Sequence, residues 1–310
     1  MSREPPEADF EEIARRFSHL WQALNASADN PYPPGTRQIL VDRVRDALDR
    51  GEARLSDTDP GIIANSFVLE ALVHDGAFTQ IYRARHRDLG TLHAIKMPRP
   101  EHADDPVLRK LMLREAEMGI TLRHPHIAGT QAVLRLADGR PALVLEWLGR
   151  RLADRLQEQP FSPDEVISVI ISVLSGLEAI HAAGSVHCDL SPLNLLFADG
   201  DLSRLKIADF GIAIEIGCRH GQLDLAFAGQ PDFVSPEQMV GGSLDGRSDL
   251  YAAGLLLSLL LHHCDEEGEE LQALEALAIC LSQRNPEDRP QNAKAALHLL
   301  GGPAKRPVGA

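Results

Sequence analysis

His187-Cys188-Asp189-Leu190-Ser191-Pro192-Leu193-Asn194 and, further on, Asp209-Phe210-Gly211 are the stretches on which the reading of this chain turns. Asn194 follows Asp189 by five positions and Asp209 follows Asn194 by fifteen, which leaves room for a short hairpin between them. Towards the N-terminus the texture is strand-rich. Residues 67–73 and 79–85 read as two strands joined by a turn around Asp75-Gly76, 92–97 as a third, and 133–136 and 142–146 as two short ones. Residues 106–122 read as a helix among them. Beyond Gly149 the pattern turns helical, at 151–157, 163–183, 248–262, 269–282 and 291–300. A strand-rich half followed by a helix-rich half predicts an α+β architecture in two lobes.

Ahead of the strands, residues 1–65 read as a helical extension with a linker. Phe10, Ile13, Ala14, Phe17, Leu20, Trp21 and Leu24 form one helical stripe, and Asn30-Pro31-Tyr32-Pro33-Pro34-Gly35 breaks it. A second helix runs from Thr36 as N-cap to Arg50, with Leu40, Val44 and Leu48 on one face and Gly51 as the stop. The stretch 56–61 is the linker. Packing against each other or against the following domain is the expected use of both stripes; a regulatory partner there is the alternative.

Composition narrows the function classes. The 310 residues are 44% hydrophobic and 25% charged, which is ordinary globular material. A formal net charge of −14 without any Lys/Arg-rich block argues against nucleic acid and against anionic membranes as partners. Cys188, Cys218, Cys264 and Cys280 show no metal-ligand or redox-pair spacing, so they are expected as reduced thiols of a cytoplasmic protein. The first twenty residues are charged, unlike a secretory signal. The run from Ala252 to Leu261 is too short for a membrane span, which needs about 20 residues, and reads as a buried helix.

Taken in order, the motifs resemble the protein kinase family, in particular the bacterial eukaryotic-like (Hanks-type) serine/threonine kinases, over roughly residues 66–302. The resemblance implies a two-lobed kinase fold: a small β-rich N-lobe at about 66–147, a larger helical C-lobe at about 148–302, and a tail at 303–310. His93-Ala94-Ile95-Lys96 resembles the strand-lysine motif, which implies that Lys96 holds the α- and β-phosphates of ATP. Glu115, in Leu113-Arg114-Glu115-Ala116, resembles the helix glutamate that pairs with that lysine. Leu143-Val144-Leu145-Glu146-Trp147 resembles the strand and hinge that receive adenine, with Leu145 at the back of the pocket and the backbone after Glu146 reading the base edge. Gly76, Val73, Ile81, Ala94, Trp147 and Leu196 complete the implied nucleotide-binding set. Asp189 would accept the substrate hydroxyl proton, and Asn194 and Asp209 would hold Mg²⁺. Lys96, Asp189 and Asn194 are thus the implied catalytic residues. Ser235-Pro236-Glu237-Gln238 resembles the end of the activation segment, Arg289 the buried partner of Glu237, and Asp249 the helix aspartate that braces the catalytic loop.

The chain also departs from the family pattern. His74, Gly76 and Thr79 stand where the phosphate-covering loop has three glycines. Ser191 replaces the lysine usual two residues after the catalytic aspartate, and Cys188 replaces the arginine before it, a non-RD arrangement. No Ser, Thr or Tyr occurs between Gly211 and Val234, so the segment is expected to be held by its own packing, with Ile212, Ile214, Ile216, Leu223, Leu225 and Phe227 as candidates. Only forty positions separate Asp249 from Arg289, which leaves little room for the further helix that family members carry there.

The implied function is transfer of the ATP γ-phosphate to Ser/Thr hydroxyls of proteins, with autophosphorylation as a further reaction. The alternatives are a pseudokinase that binds nucleotide or a partner, and a kinase-like small-molecule phosphotransferase. The last shares the His-x-Asp and Asn logic but lacks the Glu237–Arg289 pair.

Overall fold

The computed structural model describes Arg15, Ser18 and residues 61–300 other than 137, 199, 224–228 and 266–267. The chain divides into two compact units, Met1–Ser66 and Phe67–Ala310. In the first, Arg15 and Ser18 are helical and exposed and Ile62–Ile63 is a short strand; the two stripes read from the sequence lie outside the described residues.

The second unit opens with strands β1 (Phe67–Asp75), β2 (Thr79–His86) and β3 (Leu92–Pro98), followed by helix α1 (Pro106–Thr121) and strands β4 (Thr130–Arg135) and β5 (Pro141–Glu146). All pair antiparallel, in the order β1-β2-β3-β5-β4. β1 runs through Asp75, so the turn lies at 76–78, slightly later than the expected Asp75-Gly76. α1 starts where Asp105 caps the Val107 and Leu108 amides and Pro106 fills the first turn.

The helical part contains β6 (Arg150–Arg151), α2 (Leu152–Arg155), α3 (Pro163–Ala182), β7 (Ser185–Val186), β8 (Leu195–Phe197), β9 (Lys206–Ile207), β10 (Ile214–Glu215), α4 (Pro236–Met239), α5 (Gly246–His262), α6 (Glu269–Leu281) and α7 (Ala293–Leu300). α2 is shorter than the 151–157 read from the sequence. α3 begins with a capping box between Ser162 and Glu165. It is long and apolar enough to span a bilayer, but Val166, Val169, Ile170, Val173, Leu174, Leu177 and Ile180 are all buried in the core. The same core takes Leu250, Leu256, Leu257 and Leu260 from α5, which realises the buried helix expected at 252–261. Truncating one such leucine to alanine costs about 2–5 kcal/mol. Among the described residues no helix lies between α5 and α6, in line with the short interval read from the sequence. The two helices pack so closely that a Cβ on Gly254 would sit 2.8 Å from Leu281 Cβ and 2.9 Å from Ala278 O.

Candidate active site

The site is assembled from three sources. β3, paired on both sides, fixes Lys96 opposite Ile81 and Leu143. α1 brings Glu115 beneath it. The antiparallel hairpin β8–β9, the one anticipated between Asn194 and Asp209, carries those two residues at its ends. Lys96 Nζ donates to Glu115 Oε1 and Oε2, both at 2.9 Å, and to Asp209 Oδ1 at 2.8 Å. Burial alone would lower the Lys96 pKa, but Asp209 and Glu115 outweigh it and raise it, so the ammonium stays charged. Burial pushes the Glu115 carboxyl up to about 7 while Lys96 pulls it down. Two 2.9 Å contacts to a cation are the geometry of a carboxylate, and we take the pair as ionised. Asp209 is only half-buried; desolvation raises its pKa, but Lys96 and the Gly211 amide, 3.1 Å from Oδ1, outweigh that and hold its carboxyl below the usual range.

Asp189 lies within the electrostatic reach of Asp209. Burial raises its pKa to about 6, against the favourable effect of His187, and the charge of Asp209 adds to the rise. Asn194 Nδ2 donates to Asp189 Oδ2 at 2.7 Å and to its carbonyl at 2.8 Å, and the Gln230 amide donates to Oδ1 at 3.1 Å. Each carboxylate oxygen has two lone pairs, so one acceptor direction on each stays available. Because Asn194 spends its nitrogen on Asp189, its Oδ1 is left for a cation. Asn194 Oδ1 and the second oxygen of Asp209 make a sparse, hard-oxygen donor set, which fits Mg²⁺ shared with phosphate and water. Among the described residues no cluster of three His, Cys, Asp or Glu side chains offers an all-protein metal cage.

The catalytic loop is held from below. Asp249, 1% exposed, accepts the His187 and Cys188 amides at 2.8 Å each and His181 Nε2 at 2.8 Å. Cys188 has φ 68° and Asp209 φ 66°, both in the left-handed region, a backbone cost that such bracing supports. The His187 ring meets Phe210 edge-on at 5.2 Å, and its Nε2 bonds the Ala208 carbonyl. The Cys188 thiol lies in an apolar cluster with Val186, Ile214 and Leu244 and donates to the Val186 carbonyl at 3.5 Å. Of the packing candidates in the activation segment, Ile214 is buried and Ile212 packs beside it, but Ile216 is 46% exposed and does not serve. Continued alternation would have buried Ile216 on the face of Ile214, but β10 ends at Glu215 and the pattern stops there. The Leu225 and Phe227 side chains lie outside the described residues, and that of Leu223 likewise.

The expected nucleotide pocket is half-buried. Ala94 pairs with Leu145, Ile81 pairs with Lys96, and Leu145 packs against Met112, Ala116 and Leu143. Leu196 and Trp147 are intermediate in exposure and Val73 is 41% exposed at an irregularity of β1. Gly76 is held where a Cβ would lie 3.0 Å from His74 Nε2. Neither the Ala77 nor the Phe78 amide has a partner among the described residues. Glu237 and Arg289 form the anticipated buried pair, Nη1–Oε1 2.7 Å and Nη2–Oε2 3.0 Å, with Ser248 on the same carboxylate.

Several contacts escaped the sequence. Both oxygens of Glu146 accept from Lys206 Nζ, at 2.7 and 2.8 Å. Gln230 reaches Asp189 from 41 residues away, and Gln238 Nε2 donates to the Cys188 carbonyl at 2.9 Å. No local pattern marks such pairs, since only the fold brings them together. Ser191 is fully buried and its hydroxyl has no partner among the described residues.

A buried lysine shared by two carboxylates, and an aspartate–asparagine pair, stand on strands followed by helices. Residues 67–296 match the protein kinase domain family, and the chain belongs to it. It is similar to the serine/threonine-protein kinase pkn3 of Myxococcus xanthus, 30% identical over 78% of this chain and 51% of that protein. It is also similar to the serine/threonine-protein kinase PknB of Mycobacterium tuberculosis, 29% identical over 76% of this chain and 42% of that one. The chain thus spans about half or less of the curated relatives it matches. The crystal structure of the Mycobacterium tuberculosis PknI kinase domain shares the fold, with a TM-score of 0.60 at 22% identity, over 79% of this chain and 98% of that one.

Proposed function

We propose that the chain is an ATP-dependent serine/threonine protein kinase working with Mg²⁺ in the cytoplasm. The observation that carries the reading is Lys96 held between Glu115 and Asp209, together with the pair Asp189 and Asn194. Lys96 orients the α- and β-phosphates. The Ala77 and Phe78 amides, above, hold the terminal phosphates. Asn194 and Asp209 hold the divalent cation, which when bound neutralises charge on the phosphates. Asp189 orients the protein hydroxyl and takes its proton as the new oxygen–phosphorus bond forms. The bond from the γ-phosphorus to the β,γ-bridging oxygen breaks, and ADP leaves. Val73, Ile81, Ala94, Leu145 and Leu196 enclose the adenine beside the backbone after Glu146.

The test is transfer of labelled γ-phosphate to a generic protein and to the chain itself. The expected result is Mg²⁺-dependent labelling of serine or threonine, abolished in Lys96→Met, Asp189→Ala and Asp209→Ala. Nucleotide binding with no transfer by the wild-type chain would return it to the regulatory, pseudokinase reading.

A further inference from the structure

The tip of the β1–β2 hairpin, residues 75–79, keeps one of the three glycines of its family, and Arg99 is wrapped around it. Arg99 lies three residues beyond Lys96, just past the end of β3. Its backbone amide donates to the Phe78 carbonyl at 2.9 Å. Its Nε donates to the Gly76 carbonyl at 2.8 Å, and its Nη2 to Asp75 Oδ1 at 2.5 Å. Gln80 Nε2 binds that same carboxylate oxygen at 3.0 Å, and the Gly76 amide closes the turn on the Thr79 carbonyl at 3.0 Å. The Arg99 side chain is only 26% exposed.

A glycine-rich tip lets the backbone approach phosphates because no side chain intervenes. Here the flanking positions carry His74 and Thr79, and the two unspent amides, Ala77 and Phe78, lie within the frame that Arg99 bonds. Holding a backbone donor at fixed height and direction is what electrostatic preorganisation requires. A planar guanidinium can reach a carbonyl and a carboxylate at once and so fixes direction as well as distance; an ammonium cannot reproduce that fork. A surface ion pair with Asp75 alone would contribute little, but the bond to the Gly76 carbonyl acts on the backbone itself.

We infer that Arg99 is a positioning residue for the phosphates of ATP. It touches no nucleotide. It sets the tip so that the Ala77 and Phe78 amides meet the terminal phosphates, in place of the conformational freedom of the missing glycines. The inference rests on the cleft being the ATP site.

The test compares the full wild-type chain with Arg99→Ala and Arg99→Lys, measuring the affinity for Mg-ATP and for adenosine by calorimetry together with steady-state kinetics. Loss of one charge-assisted hydrogen bond predicts that Arg99→Ala weakens Mg-ATP binding and raises KM for ATP about tenfold. Adenosine affinity and KM for the protein substrate should stay within about twofold, and Arg99→Lys should fall between. Wild-type ATP affinity in Arg99→Ala, or an equal loss for ATP and adenosine, overturns the inference. Should Arg99→Ala fail to fold, Arg99→Lys, which cannot reach the Gly76 carbonyl and Asp75 together, carries the same test: a loss confined to ATP supports the inference and unchanged ATP affinity overturns it. A wild-type chain that binds Mg-ATP no better than adenosine removes the ATP-site reading itself, a deficit visible before any substitution.

Discussion

Asn194 grips Asp189 twice, with Nδ2 2.7 Å from the carboxylate Oδ2 and 2.8 Å from the carbonyl oxygen of the same residue. The grip aims one carboxylate oxygen and leaves the asparagine oxygen facing away. It also lowers the Asp189 pKa against the burial that raises it to about 6. A base must be unprotonated to act, so kcat/KM should fall with decreasing pH through an inflection near 6. Asn194→Asp keeps an oxygen for the cation but sets a second carboxylate against the first. The inflection should then move to higher pH and the rate fall about 10²-fold or more. A pH–rate profile of the two proteins checks both statements; coincident inflections would remove Asn194 from the control of Asp189.

Asp189 also affects stability, with a sign opposite to that of a salt-bridged aspartate. Its folded-state pKa of about 6 lies above the ordinary 3.8. Between those values the folded state binds more protons than the unfolded one, so this group favours folding below pH 4 and its contribution is lost as pH rises through 6. At pH 7–8 the ionised side chain costs on the order of 1–3 kcal/mol. Asp189→Asn should therefore be inactive yet melt at a higher temperature than wild type at pH 7.5, with the difference shrinking towards pH 4. Thermal denaturation at several pH values measures it.

Glu237 and Arg289 should behave in the reverse way. The Arg289 side chain has no exposed surface, donates also to the carbonyls of Gln283, Arg284 and Arg247, and lies over the Tyr251 ring. Removing either partner strands a buried charge. Arg289→Ala and Glu237→Ala should each cost about 3–5 kcal/mol, and the double variant should cost less than their sum. Urea denaturation of the three variants gives the coupling.

Activity should not depend on phosphorylation of residues 211–234. That stretch has no Ser, Thr or Tyr, and the residue before Asp189 is a thiol packed among Val186, Ile214 and Leu244. Neither half of a phosphate–arginine latch is present. Phosphatase treatment followed by rate measurement should leave the rate unchanged; a large loss would place a working phosphate elsewhere in the chain.

What the sequence made legible follows from the physics of each feature. Lys96, Glu115, Asp189, Asn194 and Asp209 stand in motifs with fixed local spacing, and the strands and helices carrying them show clear period-two or helical patterns, so their positions could be read within a residue or two. Asp105 caps its own turn, a local signal that went unread. Gln230, Gln238 and Lys206 were invisible, because each acts on a residue 41 to 60 positions away through an ordinary polar side chain or an amide. Ile216 was misread for a related reason. An isoleucine one step past a two-residue strand looks apolar in sequence, but which side it faces is set by where the strand ends.

The contact at Gly254 constrains the history of the helical lobe. With a Cβ there, the nearest atoms of Leu281, Ser282 and Ala278 would all lie under 3.0 Å, and two of the three are backbone. Helices α5 and α6 can therefore lie against each other only while position 254 stays bare. A lineage carrying a side chain at 254 could not settle into this arrangement until that side chain was lost. Once the seam had formed, the door behind it closed: any return to a bulkier residue must first pry the helices apart, so the order in which such changes accumulate is not free.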